Sequence, residues 1–523
     1  MPVVRARVFG NTYRDSVELM QIAAGIEAMD GIDRAGLVMA TPANRAVLAE
    51  AGLLTDAVSQ ARPNDLVVVV SAVDDTVADA ALDRAAARLA GPGAEASDEA
   101  TRTDARTIAE AVAELGTANL ALISTPGTYA TAEALKALKH DLNVFIFSDN
   151  VPVEDEIELK SMARARGLLV MGPDCGTAIL DGVPLGFANA VRRGTIGLVG
   201  ASGTGLQQVS CLIDREGAGV SQAIGVGGRD LDERVGGTMM LAALERLAAD
   251  PETEVIVLIS KPPSASVAAL ILAAAGIVGK PVIVNFLGGD PGMVTAAGSI
   301  PASTFQAAAR IASAMALGRP VPADDGLNAP ASDHETASGA NDGWSSTVRE
   351  AQAALDPAQW RIRGLYSGGS LAGEAKLVLG AWLGAEETNR HEIVDLGDDE
   401  YTVGRPHPMI DPRLRNEHLA AAADDPSTAV ILLDVVLGYG ANADPAGALA
   451  SAIGAARADA AREGRRFAVV ASVCGTGSDP QDLGAQEARL AQAGVILAPS
   501  NAQAAGLAAR IVAPAAVTAG RHA

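Results

Sequence analysis

Cysteine is scarce in this 523-residue chain: Cys175, Cys211 and Cys474 lie far apart and share no metal-ligand spacing. That excludes a zinc-ribbon site and a disulfide framework and suits a reducing cytoplasm. Apolar runs of the ~18–20 residues needed to span a membrane are missing as well. The longest candidate, AALILAAAGIVG at 268–279, reads as a buried helix, and the opening MPVVRARVFGNTYRD lacks the apolar region of a signal peptide. A cytoplasmic protein without a membrane partner is expected. Aromatic residues make up only 3% of the chain, so its cores must be built from Ala, Val, Leu and Ile. Positive charge is short too: 40 Lys and Arg against 63 Asp and Glu leave a net charge of −23, which argues against a nucleic-acid partner. Any anion site must therefore be assembled locally, from backbone N–H groups and a few cations. Among the few lysines, Lys261 and Lys280 stand out, each beside a strand and just before Pro.

What the chain does have is a 49% apolar composition arranged in short runs. DLVVVVSA, ANLALIS, NVFIFSD, GLLVMG, TIGLVG, EVIVLIS, KPVIVNFL, AVILLDVV and FAVVASV read as strands buried on both faces. Between most of them lie segments of helical spacing, such as Leu206, Val209, Leu212 and Ile213. That alternation predicts an α/β fold with parallel sheets and crossover helices. GRPVPADDGLNAPASDHETASGANDG, from Gly318 to Gly343, lacks apolar period and reads as a linker, and AGPGAEASDEATRTD near 90–104 as a loop. Boundaries fall near residues 192 and 320, with a further unit from about residue 358.

Two stretches repeat. VGASGTGLQQ has a counterpart in LYSGGSLAGE, pairing Ser202-Gly203 with Ser367-Gly368, and AADPETEVIVLI pairs with AADDPSTAVILL at nearly the same offset. Two copies of one α/β unit, related by a pseudo-twofold, would bring two strand–glycine–helix turns towards one site. The first turn, GASGTG, sets backbone N–H groups at a helix N-terminus, where the dipole favours anions; Ser202 and Thr204 add hydroxyls. Gly-rich turns of this kind also occur with nothing bound. In GVGGRDL, Gly227 and Gly228 could line the same crevice with Arg229 offering a fork for an anion, or the segment is a plain turn. YTVGRPHPMIDPRLRNEH gathers Arg405, His407, Arg413, Arg415 and His418 on an extended loop, fit to bind a carboxylate and manage a proton or simply solvated. Asp434, Asp444 and Asp479, in or shortly after two strands that end in G-x-G, could position ligands or cap helices, and capping is the commoner role. Cys175 and Cys474 read as small buried residues.

GLLVMGPDCGT, TIGLVGASGTG, AIGVGGRDL and DPETEVIVLI resemble, in that order, the α-subunit of succinyl-CoA synthetase. HEIVDLGDDEYTV followed by STAVILLDVVLGYGANAD resembles the C-terminal domain of its β-subunit. MATPAN, VGRPHPMIDP, LLDVVLGYGANADPA and SKPP are similar to the FdrA family of acyl-CoA-synthetase-like proteins, through nearly the whole chain. The resemblance implies tandem Rossmann-like or flavodoxin-like domains with parallel sheets. They would be a CoA-binding-like Rossmann domain at 1–192, an α-like ligase domain at 193–319, a linker at 320–357 and a β C-terminal-like ligase domain at 358–516. It also exposes departures. Ala296, in VTAAGSI, stands where the synthetase has its phosphoryl-carrying histidine, and Lys261 stands where a glutamate steadies that histidine. FGNTYRDS replaces the first CoA-binding glycine loop, and no room remains for an ATP-grasp domain.

Alanine cannot carry a phosphoryl group, so the resemblance implies acyl exchange with phosphate rather than ATP-driven synthesis. FdrA-family proteins are associated with ureide (allantoin) breakdown as part of a multi-subunit oxamate carbamoyltransferase, which converts oxalurate and phosphate to oxamate and carbamoyl phosphate. On that reading Ser202, Gly203, Thr204 and Gly205 hold phosphate, shared with Ser367, Gly368, Gly369 and Ser370. Gly227 and Gly228 line the crevice, and Lys261 or Arg229 meets the negative charge. Arg405 grips the substrate carboxylate, and His407 carries a proton. Phosphate or carbamoyl phosphate is then a substrate; no resident cofactor or metal is expected, CoA binding stays open, and further subunits in an oligomer are implied. Two alternatives remain. One is an ADP-forming acyl-CoA synthetase subunit that borrows an ATP-grasp partner; the other is a metabolite-binding scaffold without catalysis.

Overall fold

The computed structural model describes residues 2–12, 14, 16–27, 29–90, 105–327, 344–402 and 406–513. Two compact units emerge: Met1–Thr107 with Asp399–Asp411, and Ile108–Asp398 with Pro412–Ala523. The expected loop at 91–104 and residues 328–343 of the expected linker lie outside the described residues, as does Arg405, while the later part of that linker forms helix Trp344–Ala353.

In the first unit the strand Leu66–Ala72 runs between Val3–Phe9 and Ile32–Met39, antiparallel to both. Its side chains alternate between two cores. Leu66, Val68, Val70 and Ala72 pack with Leu19 and Ile26 of helix Ser16–Glu27 and with Ala78 and Leu82 of helix Asp75–Ala90. Val67 and Val69 face Leu48, Leu53 and Val58 on the other side. A central strand covered on both faces is apolar at every position, whatever the direction of its neighbours. DLVVVVSA therefore reads like a parallel strand, and here the structure departs from expectation. Residues 1–192 do not make one Rossmann-like domain: an antiparallel unit ends at Thr107. The parallel strands Leu120–Ile123, Asn143–Ile146 and Val170–Met171 form a separate sheet within the second unit.

The second unit holds two larger sheets. Arg193–Ala201, Val220–Gly225, Val255–Ser260, Val282–Phe286 and Ile300–Pro301 are parallel, and their spatial order, counting in chain order, is 2-1-3-4-5. An antiparallel hairpin, Thr177–Leu180 and Val183–Gly186, extends the outer side of the second strand. Arg361–Tyr366, Glu392–Asp395, Thr428–Val436, Ala468–Cys474 and Ile496–Ala498 repeat the 2-1-3-4-5 order in the second sheet. This flavodoxin-like order reverses beside the first strand, so each sheet opens a crevice beyond that strand's C-terminal end. Ser202 and Ser367 begin where those two strands stop. The matched topology gives the sequence repeat a structural counterpart.

Contacts between the repeats use the glycine turns further along. Asn189 Nδ2 donates to Leu437 O at 3.0 Å and to Asp479 Oδ2 at 2.8 Å, and Thr476 Oγ1 donates to Ala190 O at 2.6 Å. Asp479 thus ties segments together rather than capping a helix, whereas Asp444 does cap helix Pro445–Arg462 through Gly447 N. Lys280 Nζ donates to Leu247 O and Asp250 O, closing the C-terminal end of helix Thr238–Ala249. The expected buried helix, Ala265–Ala275, buries Val267, Ile271, Leu272 and Ala275, but Leu270 is 51% exposed and Ile277 beyond it 85%. The helix covers its sheet from outside, so only one side can be covered. All three cysteines are buried and free. Among the described residues no helix is long and apolar enough to cross a membrane.

Candidate functional site

Ser202 follows its strand with extended backbone and caps helix Gly203–Arg215, its Oγ accepting from Gly205 N at 3.1 Å. The same oxygen donates to Ser370 Oγ at 2.6 Å, and both serines are buried. Ser370 lies in the first turn of helix Gly369–Leu383. The two helices approach so closely that a Cβ on Gly368 would stand 2.7 Å from Thr204 Cγ2. Two helix N-termini, each the positive end of a macrodipole, therefore meet at the switch points of their own sheets. Gly203, Thr204 and Gly369 remain partly exposed around the contact. Lys261, exposed and without an ion pair among the described residues, places Nζ 3.8 Å from where a Gly369 Cβ would stand, and the Asp395 carboxylate lies closer still to that point. This arrangement suits negative charge between the turns.

The second turn carries a carboxylate of its own. Ser367 donates to Asp434 Oδ1 through N at 2.8 Å and through Oγ at 3.0 Å, and Arg415 Nη1 reaches Asp434 Oδ1 at 3.2 Å and Asp434 O at 2.7 Å. Asp434 and Arg415 are both buried. Burial raises the Asp434 pKa and lowers that of Arg415, so desolvation outweighs their attraction on both sides. Asp395, at the end of the neighbouring strand, is raised first by burial and further by Asp434, with Lys261 opposing. Beneath the turn, Tyr366 is fully buried, and its hydroxyl has no hydrogen-bond partner among the described residues. Glu374, one turn on, accepts from Phe305 N at 2.7 Å and from Asn501 Nδ2 at 2.8 Å; burial pushes its carboxyl up to about 7. Gly368 and Ser370, rather than Ser367, are the groups of this turn that face the first.

In the third predicted turn Gly227 is buried and Gly228 is exposed. Gly227 has φ +85°, and a Cβ there would stand 2.5 Å from Pro173 O; Gly228 sits 3.9 Å from Asp174 Oδ2 on the same measure. The Arg229 guanidinium donates to Val151 O at 2.8 Å and pairs with Glu156 Oε2 at 2.9 Å. Glu156 also pairs with Lys160, which in turn pairs with Asp230 and donates to Val226 O. Arg229 thus locks a buried charge network, and its guanidinium is already engaged by acceptors of the protein.

His407 belongs to the first unit. Its Nδ1 accepts from Met409 N at 3.2 Å, which assigns the ring proton to Nε2 in the neutral form. The basic loop is shorter than expected: helix Arg413–Asp424 starts within it and carries Arg415 into the second unit's interior. Sequence reasoning found Arg415 and Asp434 separately and missed that they pair. Asp434 interrupting the apolar run VILLDVV was the available signal, because a carboxylate in a buried strand requires a partner.

Residues 191–289 match the family described as CoA binding domain, residues 365–511 the family described as CoA-ligase, and residues 1–107 the family described as AllF, heavy metal-associated domain. Over 508 residues, 94% of this chain and 95% of the relative, the sequence is 41% identical to "Uncharacterized protein YahF" of Escherichia coli (strain K12). The chain belongs to the YahF family. It is also 32% identical over 146 residues to the ADP-forming succinate–CoA ligase subunit alpha of Methanothermobacter thermautotrophicus, a match over 27% of this chain and 48% of that one. Among solved structures it is similar, at a TM-score of 0.33 and 16% identity, to the acetyl-coenzyme A synthetase 1 of Ca. Korarchaeum cryptofilum, covering 77% of this chain and 83% of that one. The ATP citrate lyase of Methanothrix soehngenii gives a TM-score of 0.36 and 18% identity over 48% of this chain and 46% of that one. The CoA-binding and CoA-ligase matches give this family member an acyl-CoA-synthetase-like scaffold, and its sheets give the α/β fold.

The heavy-metal description of residues 1–107 is a matter of residue chemistry. Soft metals are held by thiolate, thioether or imidazole ligands, and this stretch contains neither Cys nor His; its thioethers are Met1, Met20, Met29 and Met39. The turn from its first strand to its first helix reads Gly10-Asn11-Thr12-Tyr13-Arg14-Asp15, with a cation at Arg14. No group of three His, Cys, Asp or Glu able to hold an ion occurs among the described residues. The match to this domain therefore comes without a Cys or His ligand.

Proposed function

We propose that the paired serine turns hold phosphate and let a carbamoyl or acyl group pass between it and an amide nitrogen. The contact of Ser202 with Ser370, two helix N-termini joined beside Lys261, carries the reading. Backbone N–H groups and the Lys261 ammonium would neutralise the phosphate and the oxyanion of a tetrahedral intermediate. A phosphate oxygen attacks the carbamoyl carbon; the C–N bond breaks, and the phosphate proton passes to the departing nitrogen. With oxalurate the products are oxamate and carbamoyl phosphate, the reaction associated with the FdrA family. Neither a phosphoryl carrier nor a nucleotide is needed, which accords with Ala296 at the carrier position. Companion subunits in the cytoplasm are proposed for the working enzyme.

The test is phosphorolysis of oxalurate by the purified chain, with and without neighbouring gene products, comparing wild type with Lys261→Ala. The reading expects carbamoyl phosphate from wild type and a phosphate KM raised by at least tenfold in the variant. Unchanged kinetics in Lys261→Ala would remove this site. A second reading, an ADP-forming ligase subunit with a separate ATP-grasp partner and CoA as acceptor, is favoured by the succinate–CoA ligase similarity. Transfer of label from ATP to a side chain in the presence of such a partner would support it instead.

A further inference from the structure

A groove of about 460 Å³ opens at the strand starts of the second repeat's sheet, away from the serine turns. Ala468, in its floor, begins the strand whose Ser472 pairs with Asp434, about 13 Å further along at the usual rise. Helices Trp344–Ala353 and Pro445–Arg462 contribute its walls, and Leu355, Ala460, Phe467 and Ile496 give an apolar lining. The volume falls in the range of small-molecule sites, which are mostly apolar with a few polar groups.

The charged lining is three arginines against one acid, Glu350. In a molecule with 63 acidic and 40 basic residues, this is a local reversal of sign. Arg457 is tied to Ala493 O and Gly494 O, and Arg465 to Ala423 O and Glu463. Arg466 is different: its side chain is exposed and has no hydrogen bond or ion pair among the described residues, while its carbonyl anchors Gln359 at 2.7 Å. The backbone is fixed and the guanidinium is available. A bare inorganic anion would leave the apolar walls uncovered, and a neutral apolar molecule would leave the cation unmatched.

We propose that this groove binds a small carboxylate with an apolar chain, its carboxylate on Arg466 and its chain against Leu355 and Ile496. The full-length chain is titrated calorimetrically with octanoate and with octanamide, the same body without charge. Saturable octanoate binding is expected, at least about tenfold tighter than octanamide, the effect of one charge-assisted hydrogen bond. Arg466→Ala should remove that advantage and leave octanamide binding as it was; Ala461→Trp, which fills the groove, should abolish both. Lys261→Ala should leave octanoate binding intact. Equal binding of the two ligands, no saturable binding, or an unchanged octanoate affinity in Arg466→Ala overturns the proposal, as does loss of octanoate binding in Lys261→Ala.

Discussion

Ser202 and Ser370 stand 168 residues apart, and their hydroxyl oxygens meet at 2.6 Å. One caps the first helix of the first repeat; the other lies in the first turn of the corresponding helix in the second. The bond is therefore both a cap and a joint, and the two roles separate by mutation. Ser202→Ala removes the cap as well as the joint, and should cost about 2 kcal/mol, roughly half from each. Ser370→Ala removes only the joint. A double-mutant cycle in denaturant should return a coupling of about 1 kcal/mol. A coupling near zero would mean that the two turns touch without holding each other.

Arg415 and Asp434 make a different joint. Replacing Arg415 with Met keeps most of the volume and leaves a buried carboxylate without its cation, at a cost of about 3–5 kcal/mol. Burial already raises Asp434, and losing the cation raises it further. Protonation then relieves the penalty, so Arg415→Met should be most destabilised at pH 8 and less so near pH 5. Urea titrations of both proteins at the two pH values test this. A pH-independent difference would show that the lost packing, not the charge, dominates.

Much of this site is legible in sequence. Each serine turn sits between an apolar run and a helical spacing, and the repeat of GASGTG in YSGGSL implies that the two turns are related. Less legible are features set by what lies on the far side of an element. Val67 and Val69 are buried because helices cover the back of a three-stranded sheet, and the apolar run is silent on strand direction. Ile277, just beyond helix Ala265–Ala275, is exposed, although Val267 and Ile271 within that helix are core. Arg415 lies in RLRNEH, a stretch with the polarity of a solvated loop, and only the fold places it beside Asp434.

Residues 1–107 should not bind Zn²⁺. Titration of the reduced full-length chain with Zn²⁺ should give no stoichiometric tight binding, because this stretch lacks Cys and His, the three cysteines elsewhere are buried, and no group of three ligands occurs among the described residues. Burial pushes the Cys175 thiol up to about 12, leaving almost no thiolate at neutral pH. One equivalent bound with submicromolar affinity would contradict this and would require ligands other than the soft set.

Glu374 makes stability depend on pH in a direction opposite to that of most carboxylates. Its folded pKa of about 7 lies above the ordinary 4.5 because burial outweighs the two N–H donors that favour the charged form. Between those values the folded chain keeps a proton that the unfolded chain has released, so stability falls as pH rises and levels off above about 7. The whole effect is about 3 kcal/mol for this fully buried group. Other groups titrate over the same interval, so the informative quantity is the difference between wild type and Glu374→Gln. Glutamine turns an amide N–H toward Phe305 N or Asn501 Nδ2, a penalty that does not vary with pH. The stability of wild type relative to the variant should therefore decline from pH 4.5 to 7 and stay constant beyond. Denaturation midpoints across that range that run parallel in the two proteins would mean that Glu374 is ionised throughout.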